Sequence, residues 1–111
     1  MNSGLQLEHF RIQNAIESVI QLLSDSIIKN DYKKIYLERL SKLSPQLFDH
    51  ICQNANVRIT AMDMKYIICF SVDMEAADIS LLFNIELTSV HTARYRIKKK
   101  FSKNDTFRMI F

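Results

Sequence analysis

Apolar residues recur every three or four positions through the first 28 residues, which is the spacing of one helix face. The central positions of this stripe are Ile12, Ile16, Val19, Leu23 and Ile27. The pattern predicts a long amphipathic helix over residues 5–28, interrupted at Asn30 and Asp31. Because the stripe runs along the whole helix, it is also a candidate surface for dimerisation.

Two further helices are predicted before residue 58. One follows the apolar positions between Tyr32 and Leu43. The next begins with Ser44 as its N-cap and Pro45 in the first helical position. Its predicted buried side chains are Leu47, Phe48, Ile51 and Cys52. A polar stretch over residues 53–58 closes this half of the chain.

The second half of the chain predicts three short helices. Thr60, with Asp63 three residues later, forms a variant of the capping box and opens a helix over residues 61–72. A compact helix follows over residues 76–83, then a tight turn, then a helix over residues 88–101. Three short helices with the last two joined by a turn of about four residues are typical of a helix-turn-helix.

The composition supports an all-α fold, because the chain has a single glycine, Gly4, and a single proline, Pro45. These are the two residue types that most strongly disfavour helices. We expect an N-terminal helical extension (residues 1–57) packed on a C-terminal helix-turn-helix domain (residues 58–111). No apolar run is long enough to span a bilayer, and no secretory signal is visible. Cys52 and Cys69 lie in apolar stretches without a CxxC spacing, which predicts buried free thiols in a cytoplasmic protein without a metal site.

Positive charge is concentrated at the C-terminal end. Residues 1–87 contain eight Lys or Arg and eleven Asp or Glu, whereas residues 88–111 contain seven Lys or Arg and only Asp105. An acidic-to-neutral body with a basic terminal segment is the charge distribution expected of a nucleic-acid binder.

The basic residues lie on a patterned helix. Val90, Ala93, Ile97 and Phe101 are spaced to pack on the preceding helices. The rest of the helix carries hydroxyls, rings and cations, and no acidic residue occurs from Leu87 through Asn104. Cations neutralise phosphates, and small hydroxyls and rings reach base edges in the major groove. The alternative is a basic helix that packs on protein or on anionic lipid.

One known pattern matches positions over residues 59–103 without a gap: Ile59, Thr60, Asp63, Asp78, Ile79, Ser80, Ile85, Glu86, Ser89, Val90, Ile97, Lys100 and Phe101. These residues resemble the LuxR-type (GerE-like) helix-turn-helix at the C-terminus of many bacterial regulators. The resemblance covers about 45 of the 111 residues, and the run over residues 93–101 is similar to a subset found in Bacteroidetes-type regulators.

The resemblance implies sequence-specific binding of double-stranded DNA by the C-terminal part of a transcriptional regulator, with a recognition helix over about 88–101. It implies base contacts from His91, Thr92 and Tyr95. The implied phosphate contacts come from Thr88, Ser89, Arg94, Arg96, Lys98 and Lys99. A homodimer on paired half-sites and a contact with RNA polymerase are the further partners that it implies.

Several residues depart from the family pattern. Asp73 stands where the family usually has glycine, so the first turn is expected to differ in shape. Ala93 replaces a histidine, and Ser102 replaces the glycine that ends the recognition helix. Four positions that are usually polar are apolar here: Met64, Ile68, Val72 and Leu81. We expect the N-terminal helices to pack over them, since a patch of this size is a liability on so small a domain.

Two other function classes are alternatives to DNA binding. A protein–protein adaptor, such as a sigma-like or anti-sigma module, would use the basic helix on an acidic partner. An enzyme is disfavoured because the chain has no glycine-rich loop, metal-binding His/carboxylate spacing or nucleophile elbow, and no cofactor is expected. Because the only features visible are a helical body and an output domain, we expect this chain to be part of a longer regulator.

Overall fold

The computed structural model describes residues 3–46 and 59–100, and across these two ranges the secondary structure is helical throughout. The helices are α1 (Ser3–Asp25), α2 (Asn30–Ser41), α3 (Ala61–Ser71), α4 (Ala76–Phe83) and α5 (Leu87–Lys100). The predicted all-α fold is therefore confirmed. Pro45 and Gln46 are helical, as predicted. The remainder of that helix, with Leu47, Phe48, Ile51 and Cys52, lies outside the described residues.

The core is formed mainly by α1 and α3, which pack against each other. Ile12, Val19 and Leu23 of α1 are fully buried. Arg11 ties the two helices together, because its Nη2 donates a hydrogen bond to the carbonyl of Ile59 at 2.7 Å. The apolar stripe of α1, which was a candidate surface for dimerisation, is thus buried against α3 of the same chain. A homodimer stays a prediction, but this face does not supply its interface.

α3 is buried on almost every side, which explains its unusually apolar sequence. Its buried residues are Asp63, Met64, Tyr66, Ile67, Ile68, Cys69 and Phe70. Met64, Ile68 and Val72, which depart from the family pattern, are all buried, as predicted. Cys69 is a buried free thiol, also as predicted.

Two predicted core positions were wrong. α1 ends at Asp25 rather than at residue 28, because Ser26 turns back and its hydroxyl donates to the carbonyl of Leu23 at 2.7 Å. Ile27 is consequently 84% exposed, and Ile28 is buried instead. Leu81 on α4 was expected to be covered by the N-terminal helices, but it is 47% exposed.

The turn between α3 and α4 adopts the conformation that glycine would favour, although Asp73 occupies it. Asp73 has φ 59°, in the left-handed region that Asp and Asn tolerate better than most residues. The amide of Asp73 bonds the Phe70 carbonyl, and the amide of Met74 bonds the Cys69 carbonyl. This pair of bonds is a Schellman motif. The expectation of a different turn shape at Asp73 is therefore not met.

α2 braces the same turn from the N-terminal half of the chain. Arg39 Nη1 donates to the carbonyl of Val72 at 2.9 Å, where α3 ends. The Tyr36 hydroxyl donates to Asp78 Oδ2 at 2.7 Å and accepts from the amide of Glu75 at 3.3 Å. Glu75 is the N-cap of α4 and has no capping side-chain bond of its own. α2 therefore satisfies polar groups at the ends of both helices.

Replacing Tyr36 by phenylalanine is expected to cost about 1–2 kcal/mol of unfolding free energy at pH 7, because a buried donor and acceptor lose their partner. Burial, followed by the hydrogen bond to Asp78, raises the pKa of Tyr36 to about 12. The wild-type contribution is therefore complete below about pH 10 and is lost as the pH rises towards 12. Urea denaturation measures both effects.

Tyr32 provides the matched control on the same helix, since its side chain is 48% exposed. Tyr32→Phe should change the unfolding free energy by less than about 0.5 kcal/mol. Equal losses in the two variants would contradict the bracing role of Tyr36.

Candidate nucleic-acid interface

α5 has one buried face and one exposed face, divided as the sequence predicted. Val90, Ala93 and Ile97 are buried, and α5 packs on both α3 and α4. Phe101, the fourth residue of the predicted stripe, lies outside the described residues. All nine predicted contact residues are exposed on α5: Thr88, Ser89, His91, Thr92, Arg94, Tyr95, Arg96, Lys98 and Lys99.

The polarity of α5 changes along its length. Its first turn contains no acidic residue, and its last turn contains Lys98, Lys99 and Lys100. Cations at the C-terminal end of a helix are stabilised by the helix dipole. Part of the basic run therefore stabilises α5 itself, whether or not a ligand is bound. The first turn presents the hydroxyls of Thr88 and Ser89 to solvent.

A buried carboxylate holds two of the cations of α5. Asp63 is 0% exposed, and its two oxygens accept from Arg96 Nη1 and Lys100 Nζ, each at 2.6 Å. Burial alone would raise the pKa of Asp63, but the hydrogen bonds from Lys100 and Arg96 outweigh it, so the pKa is lowered. The Asp63 cluster, as we call these three residues, fixes the C-terminal half of α5 to the start of α3.

Asp63 also forms the capping box that the sequence predicted. Its backbone amide donates to Thr60 Oγ1 at 3.0 Å, and its Oδ2 accepts from the Thr60 amide at 3.2 Å. The sequence pattern predicts only this local role for Asp63. Its pairing with residues 33 and 37 positions later requires the packing of α3 on α5, which no local pattern encodes. Arg96, a predicted phosphate contact, is thus already engaged within the chain.

Tyr95 and Lys99 form a pair on the exposed face. Tyr95 is 62% exposed, and Lys99 Nζ lies 4.8 Å from the centroid of its ring. This distance is within the range of a cation–π interaction. Arg94 makes a similar contact with Phe70, at 5.4 Å from the ring centroid. Tyr95 therefore points away from the body of the domain with a cation held beside it.

An open depression of about 300 Å³ lies between α3 and the first half of α5. Its lining residues are Tyr66, Thr88, Ser89, Thr92, Ala93 and Arg96. Four of these are predicted contact residues, which the structure brings together around one concave surface. Tyr66 was not predicted as a site residue, because its position in the apolar run of α3 indicates only a core residue.

No protein-family model, curated protein or solved structure matches this chain. The resemblance to LuxR-type domains thus stays a prediction from the sequence. Within residues 3–46 and 59–100, no helix is long and apolar enough to cross a membrane. The same residues contain no group of three or more His, Cys, Asp or Glu side chains placed to hold a metal ion.

Proposed function

We propose that this protein binds double-stranded DNA in a sequence-specific manner, with α5 as a recognition helix in the major groove, as part of a transcriptional regulator. The observation that carries this proposal is the exposed face of α5. It combines hydroxyls, aromatic rings and cations, and the helix contains no acidic residue. A face made only for solubility would usually mix acidic and basic side chains.

The arrangement of the helices supports the same proposal. α4 and α5 are separated only by residues 84–86, and Asn84 adopts a left-handed conformation with φ 54°. The Ile85 amide bonds the Ser80 carbonyl at 3.0 Å, which closes the end of α4. α5 has 14 residues and is therefore about 21 Å long, at roughly 1.5 Å per residue. An α-helix with its side chains is about 10–12 Å in diameter and therefore fits the major groove, which is about 12 Å wide.

We divide the exposed face into two roles. His91, Thr92 and Tyr95 are the candidates for contacts with base edges. Lys98 and Lys99, at the far end of the face, are the candidates for phosphate contacts. The engagement of Arg96 with Asp63 directs its guanidinium towards the depression rather than to the tip of the face.

In vitro selection from a random pool of duplexes tests this proposal directly. We expect a preferred site to emerge at low salt, and its symmetry reports whether a dimer reads it. Affinity should then fall steeply as salt rises from about 50 to 200 mM, since phosphate neutralisation releases counterions. Failure to retain any duplex at about 50 mM salt would contradict the proposal.

Replacing Lys99 by alanine should weaken binding to every duplex to a similar extent and lower the salt slope by about one, because one phosphate contact is lost. Fluorescence anisotropy at several salt concentrations measures the slope. Lys34→Ala is the matched control, since Lys34 is an exposed lysine on α2. A slope that falls equally in both variants would indicate a general charge effect instead of a contact.

A further inference from the structure

Tyr66 is a buried tyrosine whose hydroxyl has no partner among the described residues. The residue is 6% exposed, and its ring packs against Phe70 and Phe83 with centroid separations of 6.0 and 5.3 Å. None of its interactions with the described residues is a hydrogen bond. The hydroxyl of a buried tyrosine usually finds a hydrogen-bond partner. Because Tyr66 lines the open depression, a solute there can supply the missing partner.

The groups around Tyr66 are mainly hydrogen-bond donors. Thr88 and Ser89 lie in the first turn of α5, where the helix dipole favours negative charge. The Ser89 amide already donates to the Glu86 carbonyl at 3.0 Å, so the donor that Ser89 offers to a solute is its hydroxyl. The hydroxyls of Thr88 and Ser89 bond no other described residue. The Thr92 hydroxyl donates to the Thr88 carbonyl at 3.0 Å. Hydroxyls and a guanidinium therefore surround a helix N-terminus.

Arg96, which lines the depression, shares its carboxylate with a second cation. In the Asp63 cluster, one carboxylate pairs with both Arg96 and Lys100. The Arg96 guanidinium has five N–H donors, and the hydrogen bond to Asp63 is donated by Nη1. Asp63 thus orients Arg96 without consuming all of its donors. Glu86, which precedes α5, does not line the depression.

We infer that this depression binds a phosphate group, and that the Tyr66 hydroxyl is one of its ligands together with Arg96 and the first turn of α5. Hydroxyls, a guanidinium and a helix N-terminus are the donors that phosphate oxygens accept from. The inference rests on the proposed function in taking the phosphate from the DNA backbone. The depression adjoins the face of α5 assigned to the bases, so a duplex on that face places its backbone nearby.

Tyr66→Phe is the decisive variant, because it removes the hydroxyl and keeps the ring packing on Phe70 and Phe83. We expect the affinity for the selected duplex to fall about tenfold, as for loss of one charge-assisted hydrogen bond. The salt slope should not change, because the hydroxyl carries no charge. The thermal midpoint should not fall either, since no intramolecular bond is lost. Tyr32→Phe, on α2, should leave the affinity unchanged.

A titration of the free protein with inorganic phosphate separates this inference from the proposed function. We expect NMR signals of the Tyr66 ring and of the Thr88 and Ser89 amides to shift, and the shifts to be weakened in Tyr66→Phe. Phosphate-dependent shifts without duplex binding would support an oxyanion site and overturn its DNA source. Duplex binding at equal affinity in both proteins, without phosphate-dependent shifts, would overturn the site and leave the proposed function standing. Absence of both would overturn both.

Discussion

Replacing Asp63 by alanine is expected to lower the free energy of unfolding by about 3 kcal/mol. The substitution removes the side-chain half of a capping box, and it leaves Arg96 and Lys100 without their carboxylate. Losing a cap costs about 1 kcal/mol, and losing one member of a buried ion pair costs about 3–5 kcal/mol. The total is reduced because the Arg96 side chain is 46% exposed and can turn to water. Chemical denaturation at pH 7 measures the change.

The exposed ion pair of Glu38 with Lys42 supplies the control. Its side chains are 67% and 74% exposed, and the charges lie 3.4 Å apart on one helix. Glu38→Gln should cost less than about 0.5 kcal/mol, as for other surface pairs. A loss at Asp63 no larger than the loss at Glu38 would refute the idea that the Asp63 cluster fixes α5 to α3.

The pH dependence of stability gives a second signature of the same cluster. Because the pKa of Asp63 is lower in the folded protein than its ordinary value of 3.8, folding favours the ionised carboxylate. Its contribution is present above the unfolded pKa and is lost as the pH falls through the folded pKa. As the pH falls below that ordinary value, the wild type should therefore lose more stability than Asp63→Asn.

Replacing Tyr95 by alanine is expected to weaken binding to the selected duplex by about 1–3 kcal/mol and to relax the preference at one base position. The ring is 62% exposed on the face of α5 assigned to the bases. Competition against single-base variants of the site measures both effects. Tyr95→Phe keeps the ring and is expected to retain more of the preference than Tyr95→Ala.

Lys99 contacts the ring of Tyr95, so the proposed base-contact and phosphate-contact residues are expected to be energetically coupled. A double-mutant cycle with Tyr95→Ala and Lys99→Ala, applied to the free energy of binding to the selected duplex, should give a coupling energy of about 0.5–1 kcal/mol. This is the size of an exposed cation–π interaction. Lys99→Ala should still act on all sequences alike, whereas Tyr95→Ala should act mainly on the preferred one. Identical profiles for the two single variants would show that this division of roles is wrong.

Local chemistry made the helix boundaries of the second half predictable from the sequence. The capping box at Thr60 predicted the start of α3, and the predicted end at residue 72 lies one position from the observed end at Ser71. The end of α1 was not predictable in the same way, because Ile27 and Ile28 both continue the apolar spacing. The hydroxyl of Ser26 decides between them by turning the chain. A helical period cannot reveal such a side-chain bond.

The candidate site was predictable only in part, for a related reason. The exposed face of α5 follows from helix periodicity, which indicates eight of the nine predicted contact residues. Arg94 was implied by the resemblance to LuxR-type domains alone. The ion pair of Arg96 with Asp63 and the depression that Tyr66 lines both depend on how α3 lies against α5, across more than 20 residues of sequence. Leu81 was mispredicted for the same reason. Its apolar side chain suggested that the N-terminal helices pack over it, but the packing of the described residues leaves it exposed.

The packing of α1 on α3 also constrains how the chain folds during synthesis. Arg11 and Ile59, which bond each other, are separated by 48 positions. While the ribosome makes the intervening residues, the apolar face of α1 has been translated but its partner has not. Closing that loop carries an entropic cost that increases with its length. We therefore expect part of the apolar face of α1 to stay uncovered during synthesis until α3 leaves the exit tunnel.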